Sequence, residues 1–299
     1  MAEAGAPPTA IAARRAEALA ARLPPLLIAA DRVAATVAQG VHGRRRVGQG
    51  DSFWQFRRYV SGDPINRIDW RQSAKSGRPA PEGWFLRETE WEAAQTVALW
   101  RNPSADMLEP RSANCPTKHE RASLLLLALA SLLLRGGERV VLMQPDARPM
   151  AGKPAMDRLA RDLMADPADA PLPPSIRLPR HASVILISDF VTVPLETMQA
   201  VIADLAALPA RGYLLQVLDP KEVEFPYQGR IRFRGVTQDR QALIPRAEQV
   251  SDAYHRRLTA HQEGLRSLCA AAGFGFGVHR TDHSPETALL TLYTALGVR

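Results

Sequence analysis

Residues Ala182–Phe190 read ASVILISDF. Val184 to Ile187 are apolar at every position, where a strand with one wet face would alternate. The run predicts a strand over Ala182–Ile187, apolar on both faces as the central strand of a parallel sheet is. Outward from it, strands and helices alternate. Upstream, Ala93–Trp100 (AAQTVALW) reads as a buried strand and Lys118–Arg135 as a long helix closed by Gly136-Gly137. Arg139–Met143 follows as a strand and Pro154–Met164 as a helix. Downstream come a helix at Leu195–Leu208 and a strand at Gly212–Leu218. Val223–Ile244 is irregular, with extended pieces around Ile231–Val236. A long helix at Glu248–Ala272, a short strand at Phe274–His279 and a helix at Pro285–Leu296 close the chain. Repeated βα units with short connections predict an α/β fold: a doubly wound, mainly parallel, Rossmann-like sheet with right-handed crossovers. This domain is assigned to residues 92–299.

Residues 1–91 are read as an extension of helices and a β-hairpin. Alanine-rich Thr9–Arg22 reads as a helix, Pro24-Pro25 breaks it, and Leu26–Gln39 resumes a second one that ends at Gly40. Then come three arginines, Arg44–Arg46, a pattern seen in phosphate-binding patches but more often in a solvated basic loop or one paired to acids within the fold. The densest stretch is Gly48–Arg71, GQGDSFWQFRRYVSGDPINRIDWR. Its aromatics (Phe53, Trp54, Phe56, Trp70) suit burial, while Arg57, Asp63 and Asp69 suit pairing across a turn. Ser61-Gly62-Asp63-Pro64 is a breaker cluster. Gly62 tolerates positive φ, Asp63 can bond the local backbone and Pro64 fixes its own φ. The stretch therefore predicts two strands, Gln55–Val60 and Ile65–Trp70, joined by that turn, with Arg57 and Arg71 available to Asp63 and Asp69.

This stretch resembles the bacterial family called domain of unknown function 58. The matching residues are Gly48, Gly50, Phe53, Arg57, Tyr59, Gly62, Asp63, Ile68, Asp69, Trp70, Arg71 and Ala74. So many fixed residue types in fixed order make the resemblance specific. It continues more weakly to the C-terminus and implies a von Willebrand factor A-like domain after the signature module.

Composition sets broader bounds. The chain has 299 residues, 46% hydrophobic and 23% charged, which is ordinary for a folded globular protein. A net charge of +7 favours acidic partners without choosing among nucleic acid, anionic membrane and an acidic protein face. The two cysteines, Cys115 and Cys269, lie far apart and outside any metal-ligand spacing, so they read as reduced thiols. Glu3, Arg14, Arg15 and Glu17 interrupt any apolar signal region. The most apolar run, Leu124–Leu134, is about half the length that spans a bilayer. These features place the chain in the cytoplasm, with no membrane span.

In doubly wound sheets, ligands bind beyond the carboxyl ends of the strands, near the point where strand order reverses. Two strand ends carry polar residues: Asn102-Pro103-Ser104-Ala105-Asp106 after Trp100, and Ser188-Asp189 after Ile187. The resemblance implies a divalent-metal site there, built from a D-x-S-x-S loop and a later Asp. Oxygen donors of this kind suit a hard cation such as Mg²⁺ or Mn²⁺. This sequence departs from the pattern. Asn102 stands in the first Asp position, Ser104 keeps the central hydroxyl, Asp106 replaces the last Ser, and Asp189 fits the later acid. The expected metal set is therefore a degenerate Asn102, Ser104, Asp106 and Asp189.

Other motifs fail. Ala151-Gly152-Lys153-Pro154 lacks the glycine and the hydroxyl of a phosphate-binding loop. The seven histidines show no H-E-x-x-H spacing, and His279 and His283 read as surface or loop residues. Ser188-Asp189 lacks a nucleophile elbow. No catalytic residue is assigned. The reading favours a non-enzymatic protein-interaction module. Through the resemblance it implies an adaptor or co-chaperone that works with a MoxR-type AAA+ ATPase on a client protein. A basic nucleic-acid binder and a metal-dependent hydrolase are the competing readings.

Overall fold

The computed structural model describes residues 25–38, 53–61, 63, 65, 68–89, 95–108, 112–164, 170–179, 181–207, 211–234 and 241–297. The chain forms two compact units, residues 43–94 and a larger one made of residues 1–42 and 95–299.

The larger unit is built on five parallel strands: β3 (Thr96–Arg101), β4 (Arg139–Leu142), β5 (Ser183–Ser188), β6 (Arg211–Leu218) and β9 (Gly275–Arg280). Their order across the sheet is β4-β3-β5-β6-β9. The run that predicted a doubly buried strand is β5, and every one of its residues is buried. The period of two sorts its neighbours onto two faces. Val97, Leu99, Ile185, Ile187, Leu215 and Val217 join one apolar cluster, and Ala98, Trp100, Val184, Leu186 and Leu214 join the other.

Helices cover both faces. The first cluster is filled from α1 (residues 25–38), α3 (Lys118–Arg135), α4 (Lys153–Met164) and α8 (Pro285–Gly297). The second is filled from α5 (Leu195–Ala206) and α7 (Ser251–Ala271). The doubly wound α/β fold is thus present. In α3, Leu125, Leu126, Leu127 and Leu129 are all fully buried. Burial of that size contributes about 1.5–3 kcal/mol per leucine, and it explains an apolar run too short to span a membrane. No helix among the described residues is long and apolar enough to cross one. Helix α1 is tied to α3 by the Ser131 hydroxyl, which donates to Asp31 Oδ1 at 2.7 Å, and by Arg135, whose Nη2 lies 3.0 Å from the same oxygen.

The smaller unit corrects one expectation. Strand β1 (Phe53–Arg58) pairs antiparallel with β2 (Phe85–Thr89), not with Ile65–Trp70. Among the described residues of that stretch, Ile68 bridges to the ladder at Leu86. Trp70 instead opens a short helix, α2 (Trp70–Ala74), and the Asp69 carboxylate caps it by accepting the Gln72 N–H. Asp63 accepts the Val60 N–H at 2.8 Å, so both acids satisfy local backbone donors. Trp84 stands edge-on to Tyr59 and to Trp70, at 5.3 and 5.7 Å. Gly48, Gly50, Gly62 and Arg44–Arg46 lie outside the described residues, as do the helix expected at Thr9–Arg22 and the side chains of Phe53 and Arg57.

Between β6 and α7 lie α6 (Pro220–Glu224) and a hairpin, β7 (Ile231–Arg234) with β8 (Gln241–Ile244). His279 also departs from expectation. It sits in β9 at 5% exposure, and burial, reinforced by the Arg121 charge, pushes its pKa down to about 4.

Candidate functional site

Strand order reverses between β3 and β5, so the sheet splits its connections at the ends of these strands. Asn102 and Asp189 follow them directly. Asn102 is fully buried, and its backbone N–H extends the ladder by donating to Ile187 O at 2.9 Å. Its amide joins the two loops. Oδ1 accepts the Ser104 N–H at 2.9 Å, and Nδ2 donates to Ser188 Oγ at 2.9 Å. Ser188 Oγ also accepts the Phe190 N–H at 3.1 Å.

Phe190 is buried with a left-handed backbone, φ 52°. For a residue other than glycine that conformation costs about 1–2 kcal/mol. Hydrogen bonds on both sides hold it. The Phe190 carbonyl accepts from His261 Nε2 at 2.9 Å, which fixes the proton on that ring nitrogen. The Asp189 carbonyl accepts from Gln216 Nε2 at 2.7 Å, and Gln216 Oε1 accepts from Gln262 Nε2 at 2.9 Å. The turn thereby fixes the backbone that carries the Asp189 carboxylate.

That carboxylate meets Lys118. The Lys118 ammonium lies 2.6 Å from Asp189 Oδ2 and 2.8 Å from Glu222 Oε1. Lys118 and Asp189 are each only 2% exposed. Lys118 is the first residue of α3, which begins with a full capping box. Thr117 Oγ1 accepts the Glu120 N–H, and the Glu120 carboxylate accepts the Thr117 N–H. Glu222 belongs to the matching box of α6, where its Oε2 accepts the Asp219 N–H at 2.9 Å. Asp219 Oδ1 in turn accepts the Ser112 hydroxyl at 2.6 Å. Tyr254 of α7 donates to the Glu222 carbonyl at 2.6 Å. The α3 N-terminus, the turn after β5 and α6 therefore meet in one buried ion triad, which α7 braces through Tyr254.

Burial by itself would lower the Lys118 pKa, but the charges and hydrogen bonds of Asp189 and Glu222 outweigh it and raise the value. The amine is held protonated, so it has no lone pair for nucleophilic or base chemistry.

Asn102, Ser104 and Asp189 lie on the loops at the carboxyl ends of β3 and β5, with Asp106 in the turn just beyond, and their donors do not fit a divalent cation. Such an ion takes about six oxygens. Asn102 Oδ1 and Asp189 Oδ2 are already engaged. Asp106 lies half-buried in the single 3-10 turn Ala105–Met107. Of the four, Ser104 has a buried hydroxyl with no hydrogen-bond partner among the described residues. No group of three or more His, Cys, Asp or Glu side chains among them is placed to hold a metal. Sequence reading missed Lys118 and Glu222. The one signal was a lysine at the first position of a capped helix, where the macrodipole disfavours a cation and only a carboxylate partner makes its burial tolerable.

The two loops each carry one exposed apolar residue. Leu108 is 51% exposed just past the 3-10 turn, and Val191 is 50% exposed two residues after Asp189.

Residues 55–264 match the family model described as protein of unknown function DUF58. No curated protein matches the chain. Among solved structures, it is similar to an aerotolerance-related membrane protein from Bacteroides fragilis at 16% identity, covering 68% of this chain and 99% of that one, with a TM-score of 0.39. It is similar to the conserved hypothetical protein BatB from Bacteroides thetaiotaomicron at 15% identity, covering 68% and 97%, with a TM-score of 0.37. An uncharacterized membrane spanning protein from Vibrio fischeri aligns at 15% identity, covering 67% and 96%, with a TM-score of 0.18.

Proposed function

The chain belongs to the family of proteins of unknown function DUF58, and we propose that it is a non-enzymatic docking module whose partner binds across the β3 and β5 loops. One observation carries this reading: Leu108 and Val191 stand exposed on the loops that follow β3 and β5, beside the charge-satisfied Asp189 of the second loop. Apolar side chains held on a hydrogen-bonded frame lose little freedom on binding, so they are suited to be anchors. The buried ammonium, fixed in its charged form, supports a structural role for the polar centre rather than a catalytic one.

The partner we infer is a MoxR-type AAA+ ATPase, with the chain acting in the cytoplasm as its adaptor toward a client protein. The test is co-purification of the full chain with that ATPase in ATP, in ADP and without nucleotide. Retention is expected in at least one state. Leu108→Asp and Val191→Asp should each weaken binding about tenfold or more, while leaving the thermal unfolding curve in place. Failure to associate in every nucleotide state overturns the ATPase assignment. Association that both aspartate variants keep moves the docking face elsewhere. Retention on nucleic acid that collapses steeply with added salt would favour the nucleic-acid reading instead.

A further inference from the structure

The geometry points to Lys118 as the resident cation of this site: its ammonium takes the place of a divalent metal at the switch point, and the wild-type protein binds none there. This inference does not rest on the docking reading, because it concerns the inside of the larger unit.

Three observations meet here. The first is position. The ammonium lies beyond the carboxyl ends of β3 and β5, held by Asp189, the residue whose place after the strand marks it as a ligand. The second is coordination. Two carboxylate oxygens from separate elements, Asp189 Oδ2 and Glu222 Oε1, point at a single centre from 2.6 and 2.8 Å. A positive centre is what they share, and Lys118 Nζ is that centre. The third is the loop opposite. Asn102 stands where a third carboxylate would add charge, and its amide is spent on Ser104 and Ser188. An ammonium offers three donors and one charge. It needs fewer anionic ligands than a divalent ion, so a neutral amide in place of an aspartate is the matching change. Lys118 is also among the largest fully buried side chains of the described residues, and its ammonium already occupies the point on which the two carboxylates converge.

The inference makes a gain-of-function prediction. Shortening Lys118 to serine removes the ammonium and leaves the carboxylates of Asp189 and Glu222, with the new hydroxyl and the water that enters, around its place. That set has the oxygen chemistry of a hard-cation site. Equilibrium dialysis with Mn²⁺, counted by electron paramagnetic resonance, should find no saturable site in the full-length wild type and one in Lys118→Ser. Thermal unfolding should agree. Added Mn²⁺ or Ca²⁺ should leave the wild type unmoved and raise the midpoint of Lys118→Ser with the concentration dependence that mass action requires. A folded Lys118→Ser that gains no site reduces the triad to an ordinary buried ion pair and overturns the inference. Should that variant fail to fold, the wild-type dialysis decides. Saturable Mn²⁺ binding that Asp189→Asn abolishes overturns the inference, and its absence at millimolar Mn²⁺ supports it.

Discussion

Lys118 shows how strongly a buried charge depends on its company. Taking the ammonium out of water costs several kcal/mol, and the two carboxylates recover that only while all three stay together. Lys118→Met keeps length and apolar stem but leaves Asp189 and Glu222 buried side by side without a counter-ion. Urea unfolding should show a loss of about 3–5 kcal/mol. A loss under about 1 kcal/mol would mean that the carboxylates find water as soon as the lysine is gone. Adding Asp189→Asn and Glu222→Gln should restore part of the loss, since a buried neutral group costs less than a buried charge. His279 makes a second prediction at this scale. Its pKa lies at about 4 because burial, the Arg121 charge and His283 oppose its protonation, while Asp282 favours it only weakly. A base whose folded pKa is depressed contributes stability above its unfolded pKa and loses it as pH falls toward the folded value. Stability should therefore fall between about pH 6.5 and 4, by on the order of 3 kcal/mol. His279→Gln should flatten that part of the stability–pH curve. An unchanged curve would assign the acid sensitivity to carboxylates instead.

The elements explain why some of this was legible and some was not. Strand β5 and helix α3 announce themselves locally, β5 by an unbroken apolar run and α3 by a cap and a leucine stripe. Their ends fall within a residue or so of the reading. The pairing of β1 was hidden because strand pairing is not local. The Ser61–Pro64 cluster is a genuine turn signal, but the strand that pairs with β1 lies beyond the nearest extended stretch, at β2. A competing signal was present. Asp69 followed three residues later by Gln72 has the spacing of a helix cap, and in the structure it caps α2. The cap of α3 does double duty, closing the helix and setting Lys118 at its first turn. Thr117→Ala should cost about 1 kcal/mol in thermal or urea unfolding, the usual worth of a hydroxyl cap. A cost well beyond that would show that the cap also holds the ion triad in register.

At the scale of the whole molecule, Asn102, Ser104 and Asp189 could be assigned to one place because a doubly wound sheet brings its strand ends together. Their partners could not. Lys118 lies 71 residues before Asp189 and 104 before Glu222, and no periodicity links such positions. Only the folded sheet juxtaposes them, and it also turns the metal set suggested by loop residue types into a loop pair closed around an internal ammonium. The two-unit division has the same origin: residues 43–94 fold as their own compact unit within the span between α1 and β3.

That placement of α1 has a consequence for synthesis. Its buried stripe of Ala30, Val33, Ala34 and Val37 belongs to a cluster built on α3, yet Asp31 and its hydrogen-bond partner Ser131 are 100 residues apart. At translation rates of about 5–20 residues per second, the nascent chain carries that stripe for about 5–20 seconds before α3 has been made. Over that interval α1 is an amphipathic segment without the α3 surface that covers its stripe in the folded unit.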